Sequence, residues 1–362
     1  MLGSPAVARL QPFSAVRYDE RVAGPLDTLV APPYDVLSPE ERARYAARSP
    51  YNVVHLTLPG DEGEAARLWT GWQEAGVLVR ESEPALWWLA QDYAGPDGVA
   101  RTREGLLGSL HVEPYSARVV LPHERTHAGP KEGRMRLLRA LRAHVEPIFL
   151  LYDGTLAGPG GEPLVDVDLE GVRNRLWRVD SPPPSELAAA QLVIADGHHR
   201  YETALAFHEQ EGTEETGWLM VVVVPTRQEG LTIFPTHRVA GRLSREIRGE
   251  AVAGVPEGLS ALPADRAAAV LYRGGTATVV AGEPGELDAA LVDRLGAEDV
   301  AYTPRLEEAI DAVDSGRAEG AFLLRPPTIE QVRAVAERGE TMPQKSTYFY
   351  PKLPSGLLFH PL

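Results

Sequence analysis

The sequence predicts an α/β or α+β protein built on a mixed sheet with flanking helices. Three observations carry that prediction. Short apolar runs of strand length are interspersed with amphipathic stretches of helical period. Their order lacks a strict strand–helix–strand rhythm, which argues against a purely parallel sheet. The 362-residue chain is 44% hydrophobic and 24% charged, the balance of an ordinary globular protein.

The elements follow in order. PPYDV sets a rigid turn before Tyr34 and Asp35, because proline fixes φ. A helix is expected to start near Ser38-Pro39, with Asp35 either catalytic or its cap. Ala65, Leu68, Trp69 and Trp72 recur at helical spacing and are read as a core-facing stripe. PALWWLAQDY and REGLLGSLHVE read as strands. KEGRMRLLRALRAH reads as a basic amphipathic helix with Met135, Leu138 and Leu141 inward. Residues 156–184 are rich in Gly, Pro and short strand-like pieces. AAQLVIA is a strand, YETALAFHEQ a helix and GWLMVVVVP a buried strand. AVLYRGGTATVVAG is a hairpin turning at Gly274-Gly275. TIEQVRAVAERGE opens with a Thr328/Gln331 capping box and stops before Gly339. Length favours about two domains. The expected division is an N-terminal α/β region, 1–155, packed intimately against 156–362, which ends in an α+β segment.

Composition narrows the function. The formal net charge of −15 disfavours bulk nucleic-acid binding, which usually needs a basic face. The absence of cysteine removes disulfides, thiolate zinc sites and cysteine nucleophiles. No apolar run reaches membrane-spanning length, and MLGSPAVARLQPF lacks a signal-peptide pattern, so a cytoplasmic location is expected.

The chemistry concentrates in VIADGHHRYETAL, residues 193–205. An apolar strand runs into Asp196, Gly197, His198, His199 and Arg200, and a helix follows. A helix N-terminus exposes unpaired N–H groups and partial positive charge, which suits phosphate. Gly197 lets the backbone turn sharply, while the histidines and Arg200 offer donors to phosphate oxygens. Asp196 could hold Mg²⁺, orient a histidine or act as a base. The alternatives are an aspartate cap beside exposed histidines, or a zinc site on the His pair. The chain has no HExxH spacing.

Other motifs offer further candidates. LPHERT supplies His123 and Glu124, with Glu124 a base or Mg²⁺ ligand, or a surface carboxylate paired to Arg125 or Lys131. THRV supplies His237 and Arg238, to bind phosphate or pair with a carboxylate. MPQKSTYFYPKLPSGL supplies Lys345, Ser346, Thr347 and Lys352 as phosphate or carboxylate contacts, or else is an arm packed over the core. P-loop and protein-kinase signatures are absent.

ADGHHRYETAL, with PPYDVLSPEER, YNVVHLTLP, LPHERT, EPIFLLY, FPTHRV and MPQKSTYFYPKLPSGL, resembles the domain of unknown function 1015 family along almost the whole chain. In that family's pattern an acidic residue precedes the Arg after LPHERT. Here Gly133 precedes Arg134, so Glu132 replaces the acid or its role is missing. DGHHR is also similar to the phosphate turn of free-serine kinases, which have the ParB/sulfiredoxin-like fold. That shorter resemblance implies a strand–turn–helix phosphate site at Asp196–Arg200. It further implies ATP or ADP with Mg²⁺ as cofactors, and phosphoryl transfer to a small hydroxyl substrate such as serine. A phosphate hydrolase, or a non-catalytic nucleotide-binding regulator, are the other functions considered.

Overall fold

The computed structural model describes residues 7–126 and 128–362. The first six residues of the segment read against a signal peptide lie outside that description. The chain forms two compact units. One comprises the chain up to Pro122, Thr126–Leu231 and Pro351–Leu362; the other comprises His123–Arg125 and Thr232–Tyr350. The expected division at 155/156 therefore falls inside the first unit.

The first unit is built on a nine-stranded mixed sheet. Its strands are β1 (Leu10–Gln11), β2 (Leu86–Ala94), β3 (Ala100–His111), β4 (Val120–Leu121), β5 (Ile148–Tyr152), β6 (Val165–Leu169), β7 (Val172–Val179), β8 (Leu192–Asp196) and β9 (Trp218–Pro225). They lie in the order β4-β8-β5-β9-β3-β2-β7-β6, with β1 beside β3. β8 runs parallel to β4, and β9 parallel to β5, while the other pairs are antiparallel. The central strand β5 is buried at every position. Ile148 and Leu150 join Ile194, Val221 and Val223 in one core. Alternation sends Phe149 and Leu151 to the other face.

Among the described residues, four helices of this unit have eight or more residues: α1 (Pro39–Ala46), α2 (Glu62–Glu74), α3 (Ala128–Leu141) and α4 (His198–Glu211). Ser38 and Glu41 form a capping box on α1, so Ser38 rather than Asp35 caps that helix. Asp35 lies in a separate 3₁₀ turn, Tyr34–Val36. In α2 the stripe buries Ala65, Trp69 and Trp72, leaving Leu68 half-buried. α3 buries Leu137, Leu138 and Leu141, while Met135 is only half-buried. Tyr201 and Ala204 of α4 pack into the β5–β8–β9 core.

The second unit carries a six-stranded antiparallel sheet. Its strands are β10 (His237–Leu243), β11 (Glu250–Val252), β12 (Ala268–Arg273), β13 (Thr276–Ala281), β14 (Ala297–Thr303) and β15 (Gly320–Leu323). The order is β11-β13-β12-β15-β10-β14. Gly274 and Gly275, at φ 56° and 76°, make the β12–β13 turn, as a two-glycine hairpin requires. The helices are α5 (Val255–Ser260), α6 (Asp288–Asp293), α7 (Leu306–Asp314) and α8 (Ile329–Glu337). α8 starts with the expected Thr328/Gln331 capping box. Among the described residues, no helix of either unit is long and apolar enough to cross a membrane.

Candidate functional site

The turn at the end of β8 is shaped by two backbone features. The β8–β5 register slips between Ile194 and Asp196, so Asp196 pairs with Phe149. Such an irregularity re-aims a side chain, and here it turns Asp196 onto the Phe149 face. Gly197 then adopts φ 97° and ψ 27°, and α4 begins at His198 with no side-chain cap. A Cβ at residue 197 would lie 2.7 Å from Ile148 Cγ2, so both conformation and space require glycine. The outcome is a strand, a tight turn and a helix N-terminus with partial positive charge.

Cations surround that turn. Arg200 Nη2 donates to Asp196 Oδ2 and Lys352 Nζ donates to Oδ1, each at 2.8 Å. All three side chains are largely buried, at 9% exposure for Arg200, 17% for Asp196 and 18% for Lys352. Burial pushes the Asp196 carboxyl up, but the charges of Lys352 and Arg200 outweigh it and hold it well below the usual range. Burial likewise opposes the charge on Arg200, yet Asp196 and Glu146 raise its pKa overall. Arg200 also donates from Nη1 to the Pro147 carbonyl.

A third cation lies beneath. Alternation puts Arg103 of β3 on the same sheet face as Phe149, and its guanidinium stacks 4.5 Å above that ring. Arg103 is 1% exposed. Its Nη2 donates to Gln91 Oε1, while Nη1 is buried without a hydrogen-bond partner among the described residues. Burial lowers its pKa to about 10, against the fields of Tyr93 and Asp196. Gln91 in turn donates to the Lys352 carbonyl at 3.2 Å.

Glu146 organises the rim. Its Oε1 accepts from the Tyr34 backbone N–H at 2.9 Å and from Ser355 Oγ at 2.7 Å. It thus ties the PPYDV loop to the segment carrying Lys352. The Tyr34 ring lies under the Arg134 guanidinium at 4.1 Å, and burial pushes its hydroxyl up to about 12. Asp35 is exposed, and its charge reaches Arg200.

The first unit therefore gathers Asp35, the Asp196–Arg200 turn and Lys352. The other expected site residues belong to the second unit. There His123 is buried, with Nε2 3.0 Å from Thr347 Oγ1. Glu124 Oε1 accepts from the Lys345 backbone N–H at 3.3 Å. Ser346 Oγ donates to the Pro343 carbonyl at 2.6 Å. His237 Nδ1 accepts from the Leu324 N–H at 3.1 Å, and burial lowers its pKa to about 4, so the ring is neutral at pH 7. Arg238 is 1% exposed, 3.4 Å from Asp293, and donates from Nη2 to the Gln344 carbonyl.

The fit of a divalent cation can be tested on the donor set. Both Asp196 oxygens already accept from cations, so Mg²⁺ at this carboxylate would have to displace Lys352 or Arg200. Among the described residues, no group of three or more His, Asp or Glu side chains is arranged to hold a metal ion. Asp196 does not fit the metal-ligand role expected of it.

Reading along the sequence passed over Arg103 and Glu146. The available signal for Arg103 was alternation, since residues 103, 105, 107 and 109 share a strand face and only Arg103 is charged. Glu146 gave no local signal, because its partners lie 112 and 209 residues away.

Solved structures with some likeness include a free serine kinase in complex with AMP, at 17% identity, 66% of this chain, 89% of that chain and TM-score 0.41. A conserved hypothetical protein from Pyrococcus furiosus gives 16%, 66%, 90% and 0.37. SbnI with a C-terminal truncation, from Staphylococcus aureus, gives 13%, 68%, 87% and 0.40. No curated protein matches. Residues 10–296 match the family described as Protein of unknown function (DUF1015). That match spans most of the sequence, and the chain belongs to this family.

Proposed function

We propose that this protein is a nucleotide-dependent phosphotransferase that grips phosphate at the Asp196–Arg200 turn and modifies a small hydroxyl compound. The observation that carries this reading is the gathering of Arg200, Lys352 and Arg103 around a turn that ends in a helix N-terminus without a side-chain cap. Lys352 and Arg200 share one carboxylate, and buried Arg103 retains an unpartnered N–H. A phosphate oxygen is the kind of acceptor that guanidiniums and a helix N-terminus favour. The similarity of DGHHR to the phosphate turn of free-serine kinases supports ATP or ADP as donor and serine as the first acceptor to try.

In the proposed step the terminal P–O bond of the nucleotide breaks and the acceptor oxygen forms the new P–O bond. The nucleotide leaves one phosphate shorter. The hydroxyl proton passes to a carboxylate, for which Asp35 of the same unit is the candidate. Asp196 is a poor base because two cations hold it ionised. Lys352 and Arg200 would neutralise phosphate charge, the main contribution a protein makes to phosphoryl transfer.

Thermal shift with ATP, ADP and inorganic phosphate tests the site. A ligand at a hundred times its Kd stabilises by about 2.7 kcal/mol. Arg200→Gln and Lys352→Met should each weaken binding roughly tenfold to a hundredfold, the worth of a charge-assisted hydrogen bond. The absence of any shift at millimolar ligand would refute the reading. Phosphate release from nucleotide without an acceptor would replace transfer by hydrolysis.

A further inference from the structure

A second feature of the first unit extends this reading and rests on it. A cleft of about 440 Å³ opens between the start of α1, the start of α2 and the middle of α3. That volume is in the range of small-molecule sites. Arg42, Arg134 and Arg136 line it, with Glu62 the only acid among the described lining residues and Leu58 and Leu137 among its apolar walls. Three guanidiniums against one carboxylate give a local excess of two positive charges in a chain of formal net charge −15.

Each guanidinium is anchored with donors to spare. Arg42 Nε donates to the Leu58 carbonyl at 3.0 Å and Arg134 Nη1 to the Thr57 carbonyl at 2.9 Å. Arg136 Nε donates to Glu62 Oε1 at 2.9 Å. Among the described residues, no carboxylate pairs with Arg42 or Arg134. A guanidinium has five N–H donors in a fixed fork that matches a carboxylate or phosphate edge. Ser38 also lines the cleft, but its hydroxyl accepts from the Glu41 N–H, leaving the arginines as the source of charge.

Two details bear on the cleft's use. Arg134 and Leu137 also line a smaller cavity bounded by Glu146 and Arg200. Gly133 contributes no side chain, and a Cβ there would meet nothing nearer than Arg136 Nη2 at 4.0 Å. The wall is open at this position.

We propose that this cleft binds the phosphoryl acceptor, and that the acceptor is a hydroxyl compound with two negative charges, a hydroxydicarboxylate or a phosphomonoester, rather than serine, held by Arg42, Arg134 and Arg136.

The test is calorimetric titration of the full-length protein with succinate, glycerol 3-phosphate and acetate. At least one dianion should bind tenfold or more tighter than acetate. Gly133→Glu should reduce that binding at least tenfold, and Arg42→Gln should do likewise. Gly133→Glu replaces a helical glycine by a better helix former in open space, so loss of fold is not the expected cause. ADP titrations run alongside separate the two proposals. Retained ADP binding in Gly133→Glu with lost dianion binding supports the cleft. If neither dianion binds at millimolar concentration, if acetate binds equally well, or if both variants bind like the parent, the acceptor assignment is wrong. Those results leave the turn to be judged by ADP alone.

Discussion

Asp196→Asn is the sharpest perturbation of the turn. The wild-type carboxylate is 17% exposed and receives hydrogen bonds from two cations that are 9% and 18% exposed. Removing one partner of a buried ion pair costs about 3–5 kcal/mol, mostly for the charge left behind. Asparagine keeps one acceptor oxygen and some solvent reaches the site, so we expect the lower end, about 3 kcal/mol. For a domain of this size that is a fall of roughly 6–12 °C in melting temperature. The deficit should depend on ligand. Lys352, Arg200 and Arg103 would then face no carboxylate at this point, and an added phosphate would supply the missing charge. Urea denaturation with and without saturating phosphate measures both quantities. The expected deficit is about 3 kcal/mol without phosphate and under about 1 kcal/mol with it. A loss below about 1 kcal/mol without ligand, or an equal loss in both conditions, would refute the argument.

Three further outcomes follow from the same physics. Gly197→Ala places a Cβ 2.7 Å from Ile148 Cγ2 at φ 97°; it should cost about 2 kcal/mol or more and abolish the phosphate-induced thermal shift, and a neutral variant would show that the turn can relax. His144 and His360 are held neutral by burial, with pKa values lowered to about 3 and about 4. Unfolded histidine titrates near 6.5, so the unfolded chain takes up protons that the fold excludes; stability should be full above pH 6.5 and fall by about 3 kcal/mol per histidine towards pH 4. Urea midpoints that stay constant from pH 7 to about pH 4.5 would contradict this. In the second unit, Arg238 Nε and Nη1 are buried without hydrogen-bond partners among the described residues, and the half-exposed Asp293 carboxylate lies 3.4 Å away. Arg238→Met should therefore change stability by less than about 1 kcal/mol, whereas a loss above about 3 kcal/mol would make the pair essential to the fold.

The legible parts of the sequence were those whose cause is local. The Thr328/Gln331 box, the Gly274-Gly275 hairpin and the Trp69/Trp72 stripe each depend on residues within a few positions, and each is present. The strand–glycine–helix order at Asp196–Arg200 was legible for the same reason. The partners of that turn were not. Lys352 is 156 residues from Asp196, and no local pattern distinguishes it from Lys345, which belongs to the other unit. Asp35 was a reasonable cap by residue type, but the three-residue 3₁₀ turn carries it away from α1 and leaves Ser38 in place. Leu137 displaced Met135 from the fully buried stripe of α3, a one-step rotation that residue type alone did not resolve.

The separation of Asp196 from Lys352 also bears on biosynthesis. α4 and its turn emerge from the ribosome well before the segment that carries the second cation. At about 5–20 residues per second, the intervening 156 residues take on the order of ten seconds to make. During that interval the carboxylate has Arg200 as a neighbour but not Lys352, and the nascent site lacks part of its positive charge. The turn therefore acquires its full positive charge only after the segment around Lys352 has been made, and without that segment it would keep its sequence but lose its distant lysine.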